Sequence, residues 1–107
     1  MTDKDLEKLL IKIGFKRNII DNKISECQWI LNHNNIPYYY NAYSGSYSSS
    51  YSSLQKNINK YAETLFIIPF IYDLENYETK LNYDEVYNSL KKEFHHILRK
   101  KKIEGLL

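Results

Sequence analysis

The amino-acid sequence predicts a mainly α-helical domain in which four helices form a small bundle. Apolar residues recur at helical spacing in four segments, and residues that favour helix ends flank several of them. A third observation sets residues 38–53 apart, because this segment carries six tyrosines, seven serines and no charged side chain. We expect that segment to form a hairpin or an ordered loop between the second and third helices.

Length and composition indicate one globular domain over residues 1–107. A chain of about 100 residues can bury enough apolar surface to fold without a disulfide, and this chain has a single cysteine, Cys27. Hydrophobic residues make up 43% of it and the formal net charge is only +2, which argues against a highly charged disordered chain. The charged start and the short apolar runs predict neither a signal peptide nor a membrane span.

The first and fourth predicted helices have the clearest ends. Thr2 is a favourable N-cap for the first helix, and Gly14 suits its C-terminal end. Asn82 and Glu85 have the spacing of a reciprocal cap in front of the fourth helix. The apolar stripes are Leu6, Leu9, Leu10 and Ile13 in the first helix, and Tyr83, Val86, Leu90, Phe94 and Ile97 in the fourth.

The second and third predicted helices combine apolar spacing with candidate caps. Asn18 or Asp21 would cap the second helix, and Ser52 and Gln55 have capping-box spacing in front of the third. Asn34-Asn35, just before Ile36-Pro37, would end the second helix, and Pro69 would stop or kink the third. The β-branched and aromatic run at residues 66–72 also fits a strand, so an α+β fold with a small antiparallel sheet is the alternative. The stripes are Ile20, Ile24, Cys27 and Leu31 in the second helix, and Leu54, Ile58, Tyr61, Leu65 and Ile68 in the third.

The tyrosine- and serine-rich segment has a regular spacing of its own. Four tyrosines recur every fourth residue, namely Tyr39, Tyr43, Tyr47 and Tyr51. A hairpin with its turn at residues 44–46 would place Tyr43 opposite Tyr47, and Gly45 could supply a positive φ there. Tyr39 would then oppose Tyr51, and all four rings would lie on one face because even spacings keep side chains on one side. A helix or an irregular loop remains open.

This composition favours a protein-binding surface. Tyrosine offers a large contact area with few rotatable bonds, and serine offers small, adaptable hydrogen-bonding groups, as in antibody paratopes. We therefore expect the four tyrosines to contact a partner protein. Acidic residues cluster after residue 62, and we expect Asp73, Glu75 and Glu78 to form a docking surface for a basic partner. The alternative is that the rings pack on the core or form an ordinary exposed loop.

Basic residues cluster near the C-terminal end of the fourth predicted helix, at Lys91, Lys92 and residues 99–102. Cations are favourable at this end of a helix because of the helix dipole, so the cluster has a structural explanation. It could also contact phosphates, with tyrosine stacking on bases, which makes a small nucleic-acid-binding protein the alternative function. No Lys or Arg lies between Lys23 and Lys56, which disfavours nucleic acid at the tyrosines.

The sequence predicts no catalytic residue, no metal ligand and no cofactor. His95 and His96 are adjacent and would point about 100° apart on a helix. Cys27 and His33 lack the spacing of metal ligands, and Cys27 lies on an apolar stripe where a buried thiol is expected. Only three glycines are present, and they form no phosphate loop or dinucleotide fingerprint.

These observations favour a small, cytoplasmic, non-catalytic protein-binding module. The narrower hypothesis is an inhibitor, an immunity-type protein or an antitoxin, that blocks a toxin or effector protein. A phage-encoded inhibitor of a defence system would follow the same physical logic. We expect another protein as the partner, and neither a membrane nor, as the first choice, a nucleic acid.

Overall fold

A computed structural model describes residues 2–18, 27–45 and 49–105, and these residues form an α+β fold with three helices and seven strands. The prediction of a mainly α four-helix bundle is therefore wrong. In chain order, the elements are α1 (Asp3–Ile13), β1 (Lys16–Arg17), β2 (Cys27–His33), β3 (Ile36–Tyr43), β4 (Tyr51–Ile58), β5 (Tyr61–Pro69), β6 (Ile71–Asp73), β7 (Glu78–Lys80), α2 (Tyr83–Glu93) and α3 (His95–Ile103).

Strands β1 to β5 form one antiparallel sheet in sequence order, which we call the main sheet. Two tight turns shape it. Asn34 and Asn35 join β2 to β3, and Asn59 and Lys60 join β4 to β5, all with positive φ. Two-residue hairpin turns of this kind match the twist of the strands, and asparagine tolerates the left-handed conformation better than most residues. Asn34-Asn35 therefore makes a hairpin where a helix end was predicted.

The second and third predicted helices are strands. Residues 27–33 alternate between buried and more exposed positions, with Cys27, Trp29 and Leu31 directed into the core. A spacing of four residues is a multiple of two, so it keeps side chains on one face of a strand as well as of a helix. Cys27 is buried as expected, although it lies on β2. Ile20 and Ile24, which began the second predicted stripe, lie outside the described residues.

The first and last predicted helices are confirmed. Thr2 and Asp5 form a reciprocal cap at the start of α1, and Gly14 ends it in the left-handed conformation with φ of 116°. Asn82 caps α2 by accepting a hydrogen bond from the Glu85 amide. Phe94 interrupts the fourth predicted helix, so its C-terminal part becomes α3.

The core lies between the helices and one face of the main sheet. Leu6 and Leu10 of α1 and Leu90 of α2 are fully buried with Tyr40 of β3. The Tyr40 hydroxyl accepts a hydrogen bond from the Ser52 hydroxyl at 3.0 Å, which satisfies both groups inside the core. Burial raises the pKa of the Tyr40 phenol, so this side chain is neutral over the physiological pH range.

Residues 38–53 do contain a hairpin, but with a different register from the predicted one. Tyr43 pairs with Tyr51 rather than with Tyr47, and Tyr39 pairs with Gln55 rather than with Tyr51. The connection runs from 44 to 50, so it is longer than a three-residue turn. Tyr47 lies outside the described residues. The strand interpretation of residues 66–72 is correct, because they include the end of β5 and the start of β6.

No helix in the described part of the chain is long and apolar enough to cross a membrane.

Candidate functional site

The main sheet has one face toward the helices and one face away from them, which we call the outer face. Side chains alternate along each strand, so the outer face follows from the register of the buried residues. From β2 to β5 the outer face carries no Lys, Arg, Asp or Glu. Its residues are Gln28, Ile30 and Asn32 on β2, Pro37, Tyr39, Asn41 and Tyr43 on β3, Tyr51, Ser53, Gln55 and Asn57 on β4, and Ala62, Thr64, Ile67 and Pro69 on β5.

Two predicted partner-binding tyrosines meet at one end of this face. Tyr43 and Tyr51 are register partners, and their ring centroids lie 5.9 Å apart at an interplanar angle of 41°. Tyr43 is 52% exposed and Tyr51 is 39% exposed, while Ile67 of β5 is 63% exposed. Tyr39 lies two residues before Asn41 on the same face and is half-buried. The structure thus brings three of the four predicted tyrosines to one uncharged surface.

Hydrogen bonds between side chains order the middle of the outer face. The Asn18 amide donates to the Gln28 side-chain oxygen at 2.8 Å, and the Gln28 amide donates to the Asn41 side-chain oxygen at 2.8 Å. Ser53, the register partner of Asn41, is buried, with only 3% of the residue exposed. These contacts fix the polar groups beside the tyrosines, so less side-chain entropy would be lost on binding a partner.

Strands β6 and β7 form a separate hairpin, which we call the β6–β7 hairpin, and its turn is held by Asp73. The Asp73 carboxylate accepts hydrogen bonds from the Glu75 and Asn76 amides at 2.9 and 3.3 Å. It also forms an ion pair with Lys80 at 2.6 Å across the hairpin. Lys80 and the Asn76 side chain hold the pKa of the Asp73 carboxyl well below its usual range. The structure therefore gives Asp73 a role within its own hairpin, whereas Glu75 and Glu78 are exposed.

The tip of the β6–β7 hairpin displays two apolar side chains that sequence reasoning did not select. Leu74 is 77% exposed and Tyr77 is 81% exposed. Tyr77 also has a φ of 52°, a conformation that costs a bulky residue about 1–2 kcal/mol. Strained backbone positions cluster at functional sites, so Tyr77 is a candidate contact residue. The available signal was an apolar pair that brackets Glu75 and Asn76 between two strand-like segments.

The outer face and the β6–β7 hairpin are linked at one end of the main sheet. Tyr51 pairs with Pro69, the last residue of β5, and only Phe70 separates Pro69 from β6. The Phe70 amide donates to the Ser50 carbonyl at 3.2 Å. The hairpin therefore begins at the end of the sheet that carries the Tyr43–Tyr51 pair.

The predicted basic cluster is divided by the structure. Lys91, Arg99 and Lys102 line a groove between the helices, whereas Lys100 approaches Glu104 at 4.0 Å. The Lys101 ammonium donates to the Lys12 carbonyl at the end of α1. No group of three or more His, Cys, Asp or Glu side chains that could hold a metal ion occurs among residues 2–18, 27–45 and 49–105.

No protein-family model, no curated protein and no solved structure matches this chain.

Proposed function

We propose that this protein is a non-catalytic module that binds a folded protein through the outer face of its main sheet. The observation that carries this proposal is the Tyr43–Tyr51 pair, which is partly exposed beside Ile67 on a surface without charge. Tyrosines and isoleucine supply apolar contact area, and the neighbouring Asn and Gln side chains supply hydrogen bonds. This combination is typical of protein interfaces that bind without ion pairs.

The absence of charge on the outer face from β2 to β5 is the second support. In an antiparallel sheet with one face on the core and one face in water, apolar and polar residues alternate along each strand. Charged residues are free to occur on the face in water. The centres of protein interfaces, in contrast, are depleted of charged residues because desolvating an unpaired charge is costly. Lys16 is on the outer face by register, but it lies on the edge strand β1. The charge-free region is therefore continuous across the middle of the sheet.

We include the β6–β7 hairpin in the proposed interface because it begins at the end of the sheet that carries the Tyr43–Tyr51 pair. Four strands of about eight residues present roughly 500 Å², given a strand spacing of about 4.8 Å and a rise of about 3.3 Å per residue. A stable interface of standard size buries about 800 Å² on each partner. Leu74 and Tyr77, which lie on the hairpin that follows Pro69, supply additional apolar area. Glu75 and Glu78 beside them favour a partner with basic residues around an apolar pocket.

The narrower proposal is an inhibitor or immunity-type protein that covers the working surface of a toxin or effector. The ordered amides of Gln28 and Asn41 and the braced turn at Asp73 support this, because an inhibitor gains affinity when its contact groups are already fixed. A cytoplasmic location fits the proposal, since Cys27 is a buried thiol that forms no disulfide.

The test compares matched tyrosine variants against the same purified partner. Protein captured by the wild-type chain from its native cells is identified, purified and titrated against Tyr43→Ser and against Tyr61→Ser. Tyr61 is 78% exposed but lies at the opposite end of β5, so its replacement controls for the loss of an exposed ring. We expect Tyr43→Ser to weaken binding by about thirtyfold, a hot-spot loss of about 2 kcal/mol.

Tyr61→Ser should leave the dissociation constant within about twofold, because isolated surface rings outside an interface contribute little. Equal affinities for wild type and Tyr43→Ser would refute the outer face as the binding surface. A similar loss for Tyr61→Ser and Tyr43→Ser would also contradict it, because the effect would then not be specific to the pair.

A further inference from the structure

The three helices line an open groove of ≈ 780 Å³ whose lining is strongly basic. This volume lies within the range of about 300–1,000 Å³ that is typical of small-molecule sites. Five of its lining residues are cations, contributed by all three helices: Lys8, Lys12, Lys91, Arg99 and Lys102. Among the described residues that line the groove, Asp5 is the one carboxylate.

The cations reach the groove because two helices direct matching faces at it. On α1 the lining positions are 5, 8, 9 and 12, and on α3 they are 95, 98, 99 and 102. Each set follows the i, i+3, i+4, i+7 spacing that defines one side of a helix. Lys91 on α2 completes the lining from the third side. Neither Lys8 nor Lys12 belongs to the basic cluster near the C-terminus, so the concentration of charge arises only on folding.

The Asp5 carboxylate offsets only one of the five positive charges that line the groove. The Asp5 carboxylate accepts hydrogen bonds from the Thr2 amide and hydroxyl at 3.0 and 2.9 Å, so it is engaged in the cap of α1. These Thr2 contacts lower the pKa of Asp5. The whole chain carries a formal charge of only +2, and the residues outside the groove are therefore net acidic. An anion would be attracted to this groove in preference to the rest of the surface.

The groove also has an apolar and aromatic part. Leu9 and Leu98 contribute apolar surface between the cations, and Tyr87 contributes its ring. The Lys91 ammonium lies 5.5 Å from the centroid of the Tyr87 ring. The Lys101 ammonium donates to the Lys12 carbonyl, which joins α3 to the end of α1. The Lys101 contact thus ties α3 to α1 beside the groove, whereas the Lys91–Tyr87 contact lies within α2.

We infer that the groove binds a nucleotide polyphosphate, with its phosphates on Lys12, Arg99 and Lys102 and its base against Tyr87 and Leu98. Lysine and arginine side chains form charge-assisted hydrogen bonds with phosphate oxygens. The face of a nucleobase packs favourably on a tyrosine ring. The groove has the volume of a site for one small ligand, which favours a compact nucleotide over a long strand. This inference is independent of protein binding at the outer face.

The experiment titrates ATP and inorganic tripolyphosphate into the full chain by calorimetry, using two matched double variants. K12Q/R99Q removes two cations from the groove, and K4Q/K92Q removes two exposed cations that do not line it. We expect both probes to bind the wild type. K12Q/R99Q should raise the dissociation constant of each probe by about tenfold or more. K4Q/K92Q should keep both dissociation constants within about twofold of the wild-type values.

A third variant, Y87L, separates the two halves of the proposed site. It should raise the dissociation constant of ATP by about threefold to tenfold and leave that of tripolyphosphate unchanged, because only ATP has a base that can stack on the ring. K8Q/K102Q serves as a second groove variant if K12Q/R99Q does not give the thermal unfolding transition of the wild type. It is expected to weaken both probes as K12Q/R99Q does.

Three results would overturn the inference. The first is the absence of binding by both probes at about 1 mM in low salt, where screening is weak. The second is an equal loss in the groove and control variants, which would show a general effect of net charge. The third is an oligothymidylate of about ten residues that binds about tenfold more tightly than ATP, which would assign the groove to a single strand instead.

Discussion

Tyr43 and Tyr51 face each other across β3 and β4, with their ring centroids 5.9 Å apart. Because cross-strand aromatic pairs contribute roughly 0.2–1 kcal/mol, each ring supports the other in the free protein. We expect Tyr43→Ser to lower the free energy of unfolding by about 0.5–1 kcal/mol, and Tyr51→Ser to cost less when Tyr43 is already serine. Denaturant titration of both single variants and the double variant measures this coupling. Strictly additive losses would contradict a direct ring contact.

Gly45 lies against the ring of Tyr43, and this contact gives a second prediction. A Cβ at position 45 would come within 2.5 Å of the Tyr43 ring carbon Cε1 and within 2.7 Å of the Ser49 hydroxyl. Gly45→Ala should therefore displace the ring and lower the free energy of unfolding by about 1 kcal/mol, as overpacking does. In a Tyr43→Ser background the same change should cost clearly less. An equal cost in both backgrounds would place the clash elsewhere.

The turn between β4 and β5 gives a third prediction. Lys60 has a φ of 73°, which a lysine adopts only at a cost. Lys60→Gly should raise the free energy of unfolding by about 0.5–1 kcal/mol, because the sequence Asn-Gly favours this two-residue turn. Lys60→Ala provides the control, since alanine also pays for a positive φ and should bring no gain. Equal stabilities of the two variants by thermal and chemical unfolding would contradict the assigned turn geometry.

That same turn explains why half of the fold was predicted and half was not. The ends of α1 and α2 carry specific side chains, Thr2 and Asn82, whose capping contacts form as the sequence implies. Ser52 and Gln55 also have capping-box spacing, but both lie on β4, where the Ser52 hydroxyl donates to the Tyr40 hydroxyl and caps no helix. Over β4 and β5, an apolar spacing of four residues is compatible with the period of a helix and with that of a strand. The decisive feature was the two-residue turn in which Asn59 has a positive φ. Without a glycine beside it, that signal was weak in the sequence.

The candidate sites were predictable to different extents. The clustering of tyrosines was visible in composition, and three of them do share one face. Their pairing was not predictable, because the length of the connection at 44–50 sets the register. The groove was beyond sequence reasoning, since Lys12 and Arg99 are far apart in the chain and meet only when α3 packs on α1. The contacts of Asp73 within its own turn were also not predicted, because Asp73 was interpreted as part of an acidic docking surface.

The ion pair between Asp73 and Lys80 predicts a pH dependence of the β6–β7 hairpin. The folded pKa of Asp73 is lowered, chiefly by Lys80, so its stabilising contribution is present above the unfolded pKa of about 3.9. The contribution is lost as the pH falls from about 3.9 through the folded pKa. Asp73 also raises the pKa of Lys80, so the lysine's share is lost only as the pH rises through that raised value.

Amide hydrogen exchange at Glu75 and Asn76, corrected for intrinsic rates, measures this dependence. Protection of these amides should fall on acidification below a pH of about 4. In Asp73→Asn it should be lower at neutral pH and should change little with acid. A wild-type protection that stays constant to a pH of about 2 would show that the Asp73 contacts do not hold the turn.

Tyr77 combines a strained backbone with an exposed ring, which predicts opposite effects on stability and on binding. Its φ of 52° costs about 1–2 kcal/mol, and with 81% of the residue exposed little burial offsets this cost. Tyr77→Gly should therefore raise the free energy of unfolding by about 0.5–1 kcal/mol. The same variant should bind the partner protein less tightly, because it removes an apolar contact at the hairpin tip. Tyr77→Asn, which tolerates the left-handed conformation, should behave alike.

Unfolding and partner affinity measured on the same preparations test both parts. A variant that is more stable and binds as tightly as the wild type would remove the hairpin tip from the proposed interface and leave the outer face alone.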